Sequence, residues 1–487
     1  MKISSALMAV FCIFSATAAG SDEHRKTLIS GRLAGMKITL LAVDLSDGRA
    51  VAAVDADRAV IPASTMKALT TACALERLGP AHVFSTDFLV ASSPDAEGKV
   101  PGPLFVRGRG NPLFRAEDLW AALVELEAGG LRRIGGGLVF DDSLYGSPGR
   151  PSSWPNKRVP DPYDAPQGAL AVSWNSVQVI VRPGRPGQTA KISTFPVRAG
   201  ARIVNAVRTD SNTRIVIDVV ELEDGRAQIR VSGTIRNGAK AYKNWVHLGD
   251  PGRATAEAAA EILAGTSIDF HGTIRRGKVP DAAHLLLSHK SPPLAQIVSA
   301  VNKYSSNFGA EMLVRALDRQ MGNEPASTPG GLAVIDRCLE RWGVDRGGMV
   351  LSDGSGYSRS NRLSSRTLVD ALVHAWRSPA WGPEFVASLP RAGEDGSLKN
   401  RLKDLRGTVR AKTGSLRGVA ALAGYAQTES TRQLAFAILI NRGSSGTAPS
   451  RSDIDRLLRK VLSSDHHRGE EKQDPGKVEK GSVFSSR

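Results

Sequence analysis

Residues 408–440 read TVRAKTGSLRGVAALAGYAQTESTRQLAFAILI, and this stretch decides the fold at the C-terminal end of the chain. Three runs typical of β-strands follow one another in it, at residues 408–413, 418–426 and 433–440. The last run is apolar from Leu434 to Ile440, which is typical of a strand buried in the middle of a sheet. Apolar residues then recur at helical spacing between Ile454 and Leu462. This spacing predicts a final amphipathic helix after the three strands.

The front of the chain predicts two more strands and a helix. Residues 36–44 and 49–54 are predicted as a strand and its return strand, and Asp47-Gly48 between them is a common hairpin turn. A helical pattern begins near Ser64 and ends at Leu78. Pro62 before it and Gly79-Pro80 after it are typical boundary residues.

The middle of the chain has a different pattern of predicted secondary structure. Residues 84–279 contain short β-like runs separated by Gly, Pro and Asp, at 84–90, 137–141, 177–182, 213–220 and 227–233. Helical patterns interrupt them at 116–131 and 255–263. Longer helical patterns return afterwards, at 293–303, 308–321, 330–342 and 365–376. We therefore predict a mostly β insert of one or two modules within an α+β protein.

The N-terminal end of the chain indicates export, and the C-terminal end is expected to be disordered. Lys2, an apolar run over residues 6–14 and small residues at 16–19 form a secretory signal, which we assign to residues 1–19. No other run approaches the roughly 20 apolar residues that cross a bilayer. Residues 465–487 have few apolar side chains and are expected to be disordered. The expected location is the periplasm, with the extracellular space as the alternative.

Composition limits the kinds of partner. The chain has 64 Lys and Arg against 48 Asp and Glu, a formal net charge of +16. Such an excess suits attraction to an anionic envelope surface, although a generally Arg-rich proteome explains it equally well. Nucleic acid is not expected, because the chain is exported and shows no binding motif. Cys73 and Cys338 are too few for a disulfide framework or a zinc site, and whether they pair is left open. No metal or other cofactor is predicted.

Ser64-Thr65-Met66-Lys67 at the predicted helix start could carry nucleophilic chemistry. A serine hydroxyl needs a base to take its proton, and positions i and i+3 lie on one face of a helix. Lys67 can serve as that base if burial or a second cation lowers its pKa. Taken alone, the motif is as well explained by a surface serine and lysine.

Two further motifs come later in the chain. Ser305-Ser306-Asn307 opens a predicted helix, where a simple N-cap is the alternative explanation. Lys412-Thr413-Gly414 lies at the end of a predicted strand. A cation there can receive a substrate carboxylate, and Gly414 lets a peptide approach the strand closely.

The order of these three motifs is that of class A β-lactamases and penicillin-binding proteins. The surrounding sequence resembles one branch, the D-alanyl-D-alanine carboxypeptidase/endopeptidases among the low-molecular-mass class C penicillin-binding proteins. The passages that carry this resemblance lie at residues 60–67, 107–112, 165–175, 353–359, 389–399 and 409–419. The resemblance extends from about residue 30 to 463.

The resemblance implies a set of catalytic roles. Ser64 attacks the carbonyl of a D-Ala–D-Ala bond, and Lys67 is the general base. Ser305 lies between Lys67 and Lys412 and relays a proton to the leaving amine. The backbone N–H groups of Ser64 and Ser415 form the oxyanion hole.

The resemblance also implies substrate contacts. Asn307 binds the substrate amide, whereas Lys412 and Thr413 hold the terminal carboxylate and Gly414 leaves room for the peptide. Asp142 in the insert is a candidate contact for the diamino acid of the stem peptide, with a plain turn residue as the alternative. The expected partners are peptidoglycan stem peptides, and β-lactam antibiotics as inhibitors that acylate Ser64.

The implied fold is that of the β-lactamase/DD-peptidase transpeptidase domain, a five-stranded antiparallel sheet flanked by helices. We assign residues 20–83 and 280–464 to this domain and residues 84–279 to the insert. The balance between carboxypeptidase and endopeptidase activity is left open.

Two other functions compete with this one. A class A β-lactamase needs a Glu with Asn four residues later, between the second and third motifs. That spacing is absent at all five candidates: Glu311, Glu324, Glu340, Glu384 and Glu394. A non-catalytic peptidoglycan- or β-lactam-binding protein would not need the complete catalytic set that is present here.

Overall fold

The computed structural model describes residues 28–155, 160–444 and 446–463. The strands are β1 (Lys37–Asp44), β2 (Ala50–Val54), β3 (Ser85–Val90), β4 (Lys99–Val100), β5 (Leu104–Gly108), β6 (Arg133–Ile134), β7 (Leu138–Asp141), β8 (Ser176–Arg182), β9 (Lys191–Phe195), β10 (Arg202–Asp210), β11 (Arg214–Glu221), β12 (Ala227–Arg236), β13 (Tyr242–His247), β14 (Asp269–Phe270), β15 (Ile274–Arg276), β16 (His284–Lys290), β17 (Val409–Leu416), β18 (Val419–Gln427) and β19 (Gln433–Asn441). The α-helices are α1 (Met66–Leu78), α2 (Ala116–Ala128), α3 (Pro251–Leu263), α4 (Leu294–Tyr304), α5 (Asn307–Gln320), α6 (Thr328–Arg341), α7 (Ser365–Trp376), α8 (Gly382–Ser388) and α9 (Arg451–Ser463).

The predicted five-stranded antiparallel sheet is confirmed. Its strand order is β17-β18-β19-β1-β2, so the two ends of the chain share one sheet. The pairing between β1 and β19 is antiparallel and runs from Lys37 opposite Asn441 to Asp44 opposite Leu434. The apolar run that sequence analysis placed in the middle of a sheet is the central strand, β19.

Helices cover both faces of this sheet. Leu41 on β1 packs into a core formed with α1 and α4–α8, whereas its neighbour Leu40 packs against α9 on the other face. Successive side chains of a strand point to opposite faces, so a strand buried on both sides is mostly apolar along its length. This explains why β1 and β19 lack the alternation of a surface strand.

The insert forms a mostly β body with a hydrophobic core of its own. A mixed sheet has the order β15-β7-β5-β3-β16, and three three-stranded sheets accompany it. Strand β16 (His284–Lys290) pairs with β3, so the insert sheet takes in residues beyond position 279. The domain boundaries assigned above remain predictions.

Some elements differ from the sequence-based expectation. The helix expected to begin at Ser64 opens with a single 3₁₀ turn, Ala63–Thr65, and becomes α-helical at Met66. Cys73 and Cys338, whose pairing the sequence left open, form a disulfide that joins α1 to α6, with Cα atoms 6.2 Å apart. The predicted signal at 1–19 and tail at 465–487 lie outside the described residues. Among the helices of the described residues, none has the length and apolar character needed to span a membrane.

Candidate active site

A tight turn presents Ser64 at the start of α1. Ala63 has a positive φ of 49°, and Thr65 Oγ1 donates a hydrogen bond to the Pro62 carbonyl at 2.7 Å. Glycine is required beside this turn, because a Cβ at Gly356 would lie 1.9 Å from the Ala63 carbonyl oxygen. The neighbouring strand is equally close, since a Cβ at Gly414 would lie 2.9 Å from the Pro62 carbonyl oxygen. The turn is therefore clamped between two backbone segments.

Lys67 lies one helical turn after Ser64 and is fully buried. Its Nζ donates hydrogen bonds to Ser64 Oγ at 3.1 Å, Asn307 Oδ1 at 2.7 Å and the Ser355 carbonyl at 2.6 Å. Burial lowers the pKa of Lys67 to about 7, against the opposing influence of Asp353 and Glu311. A large part of the lysine population is thus neutral near pH 7 and able to accept a proton.

The loop Asp353-Gly354-Ser355-Gly356 supplies the carbonyl that holds Lys67. Asp353 braces it, because Asp353 Oδ1 accepts from the Gly356 amide at 2.7 Å and Oδ2 accepts from the Ser358 amide at 2.6 Å. Trp154 of the insert donates from Nε1 to the same carboxylate at 2.7 Å. The insert therefore contributes directly to the support of the site.

Glu311 on α5 also holds the loop Asp353-Gly354-Ser355-Gly356 through hydrogen bonds. Its Oε1 accepts the amides of Gly354 at 3.0 Å and Ser355 at 2.8 Å. The side chain is fully buried, and its Oε2 has no hydrogen-bond partner among the described residues. Burial, reinforced by the charge of Asp353, raises the pKa of Glu311 to about 8.

The three residues of the Ser305-Ser306-Asn307 motif make different hydrogen bonds. Ser306 is the N-cap of α5 and accepts a hydrogen bond from the Gly309 amide at 3.0 Å, so the N-cap explanation holds for this residue. Ser305 has left-handed backbone angles, φ 56° and ψ 39°, and its hydroxyl accepts from Lys412 Nζ at 2.9 Å. Asn307 accepts from Lys67 and donates to the Tyr163 carbonyl of the insert at 2.9 Å.

Lys412 on β17 is the second buried lysine of the site. Its Nζ donates to Ser305 Oγ and to the Thr413 carbonyl, each at 2.9 Å. Burial and the nearby charge of Lys67 hold the pKa of Lys412 well below its usual value. Thr413 Oγ1 donates to Ser397 Oγ at 2.7 Å, and this hydroxyl pair is exposed.

Strand β17 is an edge strand of the central sheet. Its first part is covered, because the Ala411 amide donates to the Pro390 carbonyl at 2.9 Å and the Ala392 amide donates to the Val409 carbonyl at 3.0 Å. In the described part of the chain this outer pairing ends at Ala411. Ser415 further along β17 is exposed. An extended peptide could therefore pair with the open half of the edge.

Asp142 is the one candidate that lies apart from this cluster. It is buried in the insert, 2% exposed, and its carboxylate accepts hydrogen bonds from Arg276. Burial raises the pKa of Asp142, and the charge of Arg276 opposes that rise. The structure brings the other candidates together, namely Ser64, Lys67, Ser305, Asn307, Lys412, Thr413, Gly414 and Ser415. Contact of Asp142 with a stem peptide stays a prediction.

Several of these groups have no separate signal in the sequence. Asp353 and Ser355 lie within a passage that resembles the family, and Glu311 lacks the Asn four residues later that a class A β-lactamase needs. Trp154 and Tyr163 have no sequence signal of a role in the site, because their contacts with Asp353 and Asn307 depend on how the insert packs against the site. Within the described part of the chain, no cluster of three or more His, Cys, Asp or Glu residues is arranged to hold a metal ion.

Known proteins are similar to this chain in sequence along most of its length. A D-alanyl-D-alanine carboxypeptidase of Actinomadura sp. (strain R39) is 33% identical over 433 residues, which cover 86% of this chain and 80% of the relative. The D-alanyl-D-alanine carboxypeptidase DacB of Haemophilus influenzae is 27% identical over 428 residues, covering 86% of this chain and 88% of the relative.

Solved structures agree with these relatives. The crystal structure of penicillin binding protein 4 from Haemophilus influenzae superimposes with a TM-score of 0.76 at 25% identity, covering 91% of this chain and 99% of that one. The same protein complexed with a β-lactam gives a TM-score of 0.73. A family model described as the D-Ala-D-Ala carboxypeptidase 3 (S13) family matches residues 23–461. On this match, the chain belongs to the D-Ala-D-Ala carboxypeptidase 3 (S13) family.

Proposed function

We propose that the chain is a serine-type D-Ala-D-Ala carboxypeptidase that cleaves peptidoglycan stem peptides through an acyl-enzyme on Ser64. One observation carries the proposal: a fully buried Lys67 lies 3.1 Å from Ser64 Oγ, with its pKa lowered to about 7. A base whose pKa is near the working pH combines the neutral form with a useful affinity for a proton.

In the acylation step, neutral Lys67 accepts the Ser64 proton while Oγ attacks the carbonyl carbon of the terminal peptide bond. The negative charge moves to the carbonyl oxygen, which receives hydrogen bonds from the Ser64 and Ser415 amides. Donors of this kind contribute about 2.7–4 kcal/mol each to the stability of such a transition state. The open edge of β17 supports this placement, because Ser415 lies on its uncovered half.

Collapse of the intermediate breaks the C–N bond, and the leaving amine needs a proton. Ser305 is suited to deliver it, since its hydroxyl is held by Lys412 at 2.9 Å. The Ser305 hydroxyl passes its proton to the amine and recovers one from the neighbouring lysines. Water then attacks the ester on Ser64 with the same base, which releases the shortened peptide.

Asn307 and Thr413 are proposed to hold the substrate. Both ends of the Asn307 amide are occupied in the free enzyme, by Lys67 and by the Tyr163 carbonyl. A substrate amide would therefore take the place of one of these partners. The exposed Thr413–Ser397 hydroxyl pair offers donors for the terminal carboxylate.

The same chemistry extends the proposal to other ligands. A β-lactam presents a strained amide to Ser64 and would acylate it. A cross-link differs from a terminal D-Ala mainly in the size of the leaving amine, so we include DD-endopeptidase activity. The proposed setting is the periplasm, where an anionic envelope surface would attract the net charge of +16.

The decisive experiment replaces Ser64 with alanine. We expect Ser64→Ala to lose both D-Ala release from a pentapeptide and covalent labelling by a fluorescent penicillin, with an unchanged unfolding transition. Ser306→Ala is the matched control, because Ser306 caps a helix beside the site and lies outside the proton path. Labelling of a folded Ser64→Ala protein would refute the assignment.

A further inference from the structure

A basic cleft opens at one end of the central sheet. It has a volume of about 230 Å³. Its walls come from the start of β1, the segment before Ser64, the loop after Ser358, the start of β18 and the end of β19. Five of its lining residues are cationic: Lys37, Arg58, Arg359, Arg362 and Arg442. None of its lining residues is acidic.

The charges in this cleft are only partly matched by the fold. Arg58 pairs with Asp55 at 3.4 Å. Arg362 donates to the carbonyls of Arg359 and Asn361, at 2.7 and 2.8 Å, and carbonyls leave its positive charge intact. Within the described residues, neither Lys37 nor Arg442 has an acidic partner, and both side chains are exposed.

The fold has no evident need for these cations. Four of the five are exposed, so they are not filling a core or neutralising a buried carboxylate. Like charges that share a concavity repel one another, and low-dielectric walls strengthen the positive potential inside it. An anion in the cleft would relieve that repulsion.

The size and charge of the cleft favour phosphate over a single carboxylate. Arginine presents a planar fork that binds phosphate oxygens in pairs. A phosphate monoester carries about −1.5 to −2 charges and three acceptor oxygens, which suits a group of five cations better than one carboxylate does. A volume of about 230 Å³ is several times the roughly 30 Å³ share of one water, so a hydrated phosphate group fits.

We propose that this cleft is a phosphate-binding site, separate from the site of peptide cleavage. The phosphate could be carried by a soluble polyanion or by a lipid headgroup. None of the proposed catalytic residues lines the cleft. The cleft nevertheless adjoins the active site, because Asn441 on its wall holds Ile61, three residues before Ser64. The Ile61 amide donates to Asn441 Oδ1, and Asn441 Nδ2 donates to the Ile61 carbonyl, each at 3.0 Å.

The test measures binding of sodium tripolyphosphate to the full-length protein by calorimetry at low salt. The variant Lys37→Glu/Arg442→Glu reverses two exposed charges of the cleft and should weaken the affinity at least tenfold. The control Lys191→Glu/Arg202→Glu reverses two exposed charges on the insert and should bind like the wild type. Lys37→Gln/Arg442→Gln removes the charges without reversing them, and provides the test if the reversed variant is unstable.

A vesicle experiment distinguishes the two sources of phosphate. Cleft-dependent sedimentation with phosphatidylglycerol vesicles, and none with phosphatidylcholine vesicles, would identify a lipid headgroup. Tripolyphosphate binding without vesicle binding would identify a soluble polyanion. The inference is overturned if the wild type does not bind tripolyphosphate, or if cleft and control variants lose affinity equally. Neither result bears on the proposed function, because penicillin labelling of Ser64 is measured separately in each variant.

Discussion

Lys67 donates a hydrogen bond to the backbone carbonyl of Ser355 at 2.6 Å, and this contact aims the lysine at the nucleophile. A charged lysine has three N–H donors, and a neutral one has two N–H donors and a lone pair. Ser355 and Asn307 supply two acceptors that are not the nucleophile. When Lys67 is neutral, these two acceptors can hold its two N–H groups, which leaves the lone pair directed at Ser64 Oγ.

The rate of acylation should therefore rise with pH around neutrality. Burial lowers the pKa of Lys67 to about 7, so the neutral base increases as the pH passes through that value. One unit below the pKa, about one-tenth of the molecules carry the neutral base. The measurement is the second-order rate of penicillin acylation from about two units below to two units above that pKa.

Lys67→Arg is the companion variant for this profile. Arginine keeps the positive charge and does not lose its proton in proteins, so it cannot act as the base. We expect a loss of about 10²–10⁴ in rate, the usual contribution of general base catalysis. A flat profile in the wild type, or an active Lys67→Arg variant, would contradict the role of Lys67.

Glu311→Gln should move that pH profile to lower pH. The charge of Glu311, like that of Asp353, raises the pKa of Lys67. Because the pKa of Glu311 is itself about 8, this charge appears over the upper part of the profile, and its removal lets the lysine deprotonate more readily there. Gln keeps a carbonyl oxygen that can accept the Gly354 and Ser355 amides, and the fold should survive. The apparent pKa of acylation is measured for the wild type, Glu311→Gln and the control Glu384→Gln. An unchanged or raised value in Glu311→Gln alone would refute this electrostatic coupling.

The sequence was sufficient to predict which motifs meet, but it did not reveal what supports them. The central sheet was predictable because β19 is apolar from Leu434 to Ile440 and because Ser64, Ser305 and Lys412 occur in a known order. Glu311 was not predictable, since a single Glu in a helical pattern looks like a solvated side chain. Its importance comes from hydrogen bonds to Gly354 and Ser355, which are 43 and 44 positions away.

The same reason explains what was missed in the insert. Tyr163 contributes only a backbone carbonyl to Asn307, and a backbone contact has no side-chain signature. The pairing of Cys73 with Cys338 joins residues 265 positions apart, which no local pattern reports. For the second motif, local chemistry gave two explanations, and the structure assigns the N-cap to Ser306 and the contact with Lys412 to Ser305.

Removal of the disulfide should destabilise the protein without removing the catalytic groups. The bond joins α1, which carries Lys67, to α6, and it closes a long loop in the unfolded chain. We expect Cys73→Ala/Cys338→Ala to lower the free energy of unfolding by about 2–5 kcal/mol. Urea unfolding with and without reductant checks this: reductant should destabilise the wild type and leave the double variant unchanged. Equal sensitivity of the two proteins to reductant would contradict the prediction.

Thr413→Val should reduce activity mainly on substrates with a free terminal carboxylate. Lys412 is fully buried and bound to Ser305 and to the Thr413 carbonyl, whereas the Thr413 hydroxyl is exposed beside Ser397. A hydrogen bond to a charged group contributes about 1.5–3 kcal/mol, which corresponds to a loss of roughly ten- to a hundredfold in kcat/KM. An amidated substrate lacks that charge and should lose much less. Thr408→Val is the control, because within the described residues the Thr408 hydroxyl hydrogen-bonds only to the Leu405 carbonyl. An equal loss on the acid and the amide would mean that Thr413 supports the strand and does not bind the carboxylate.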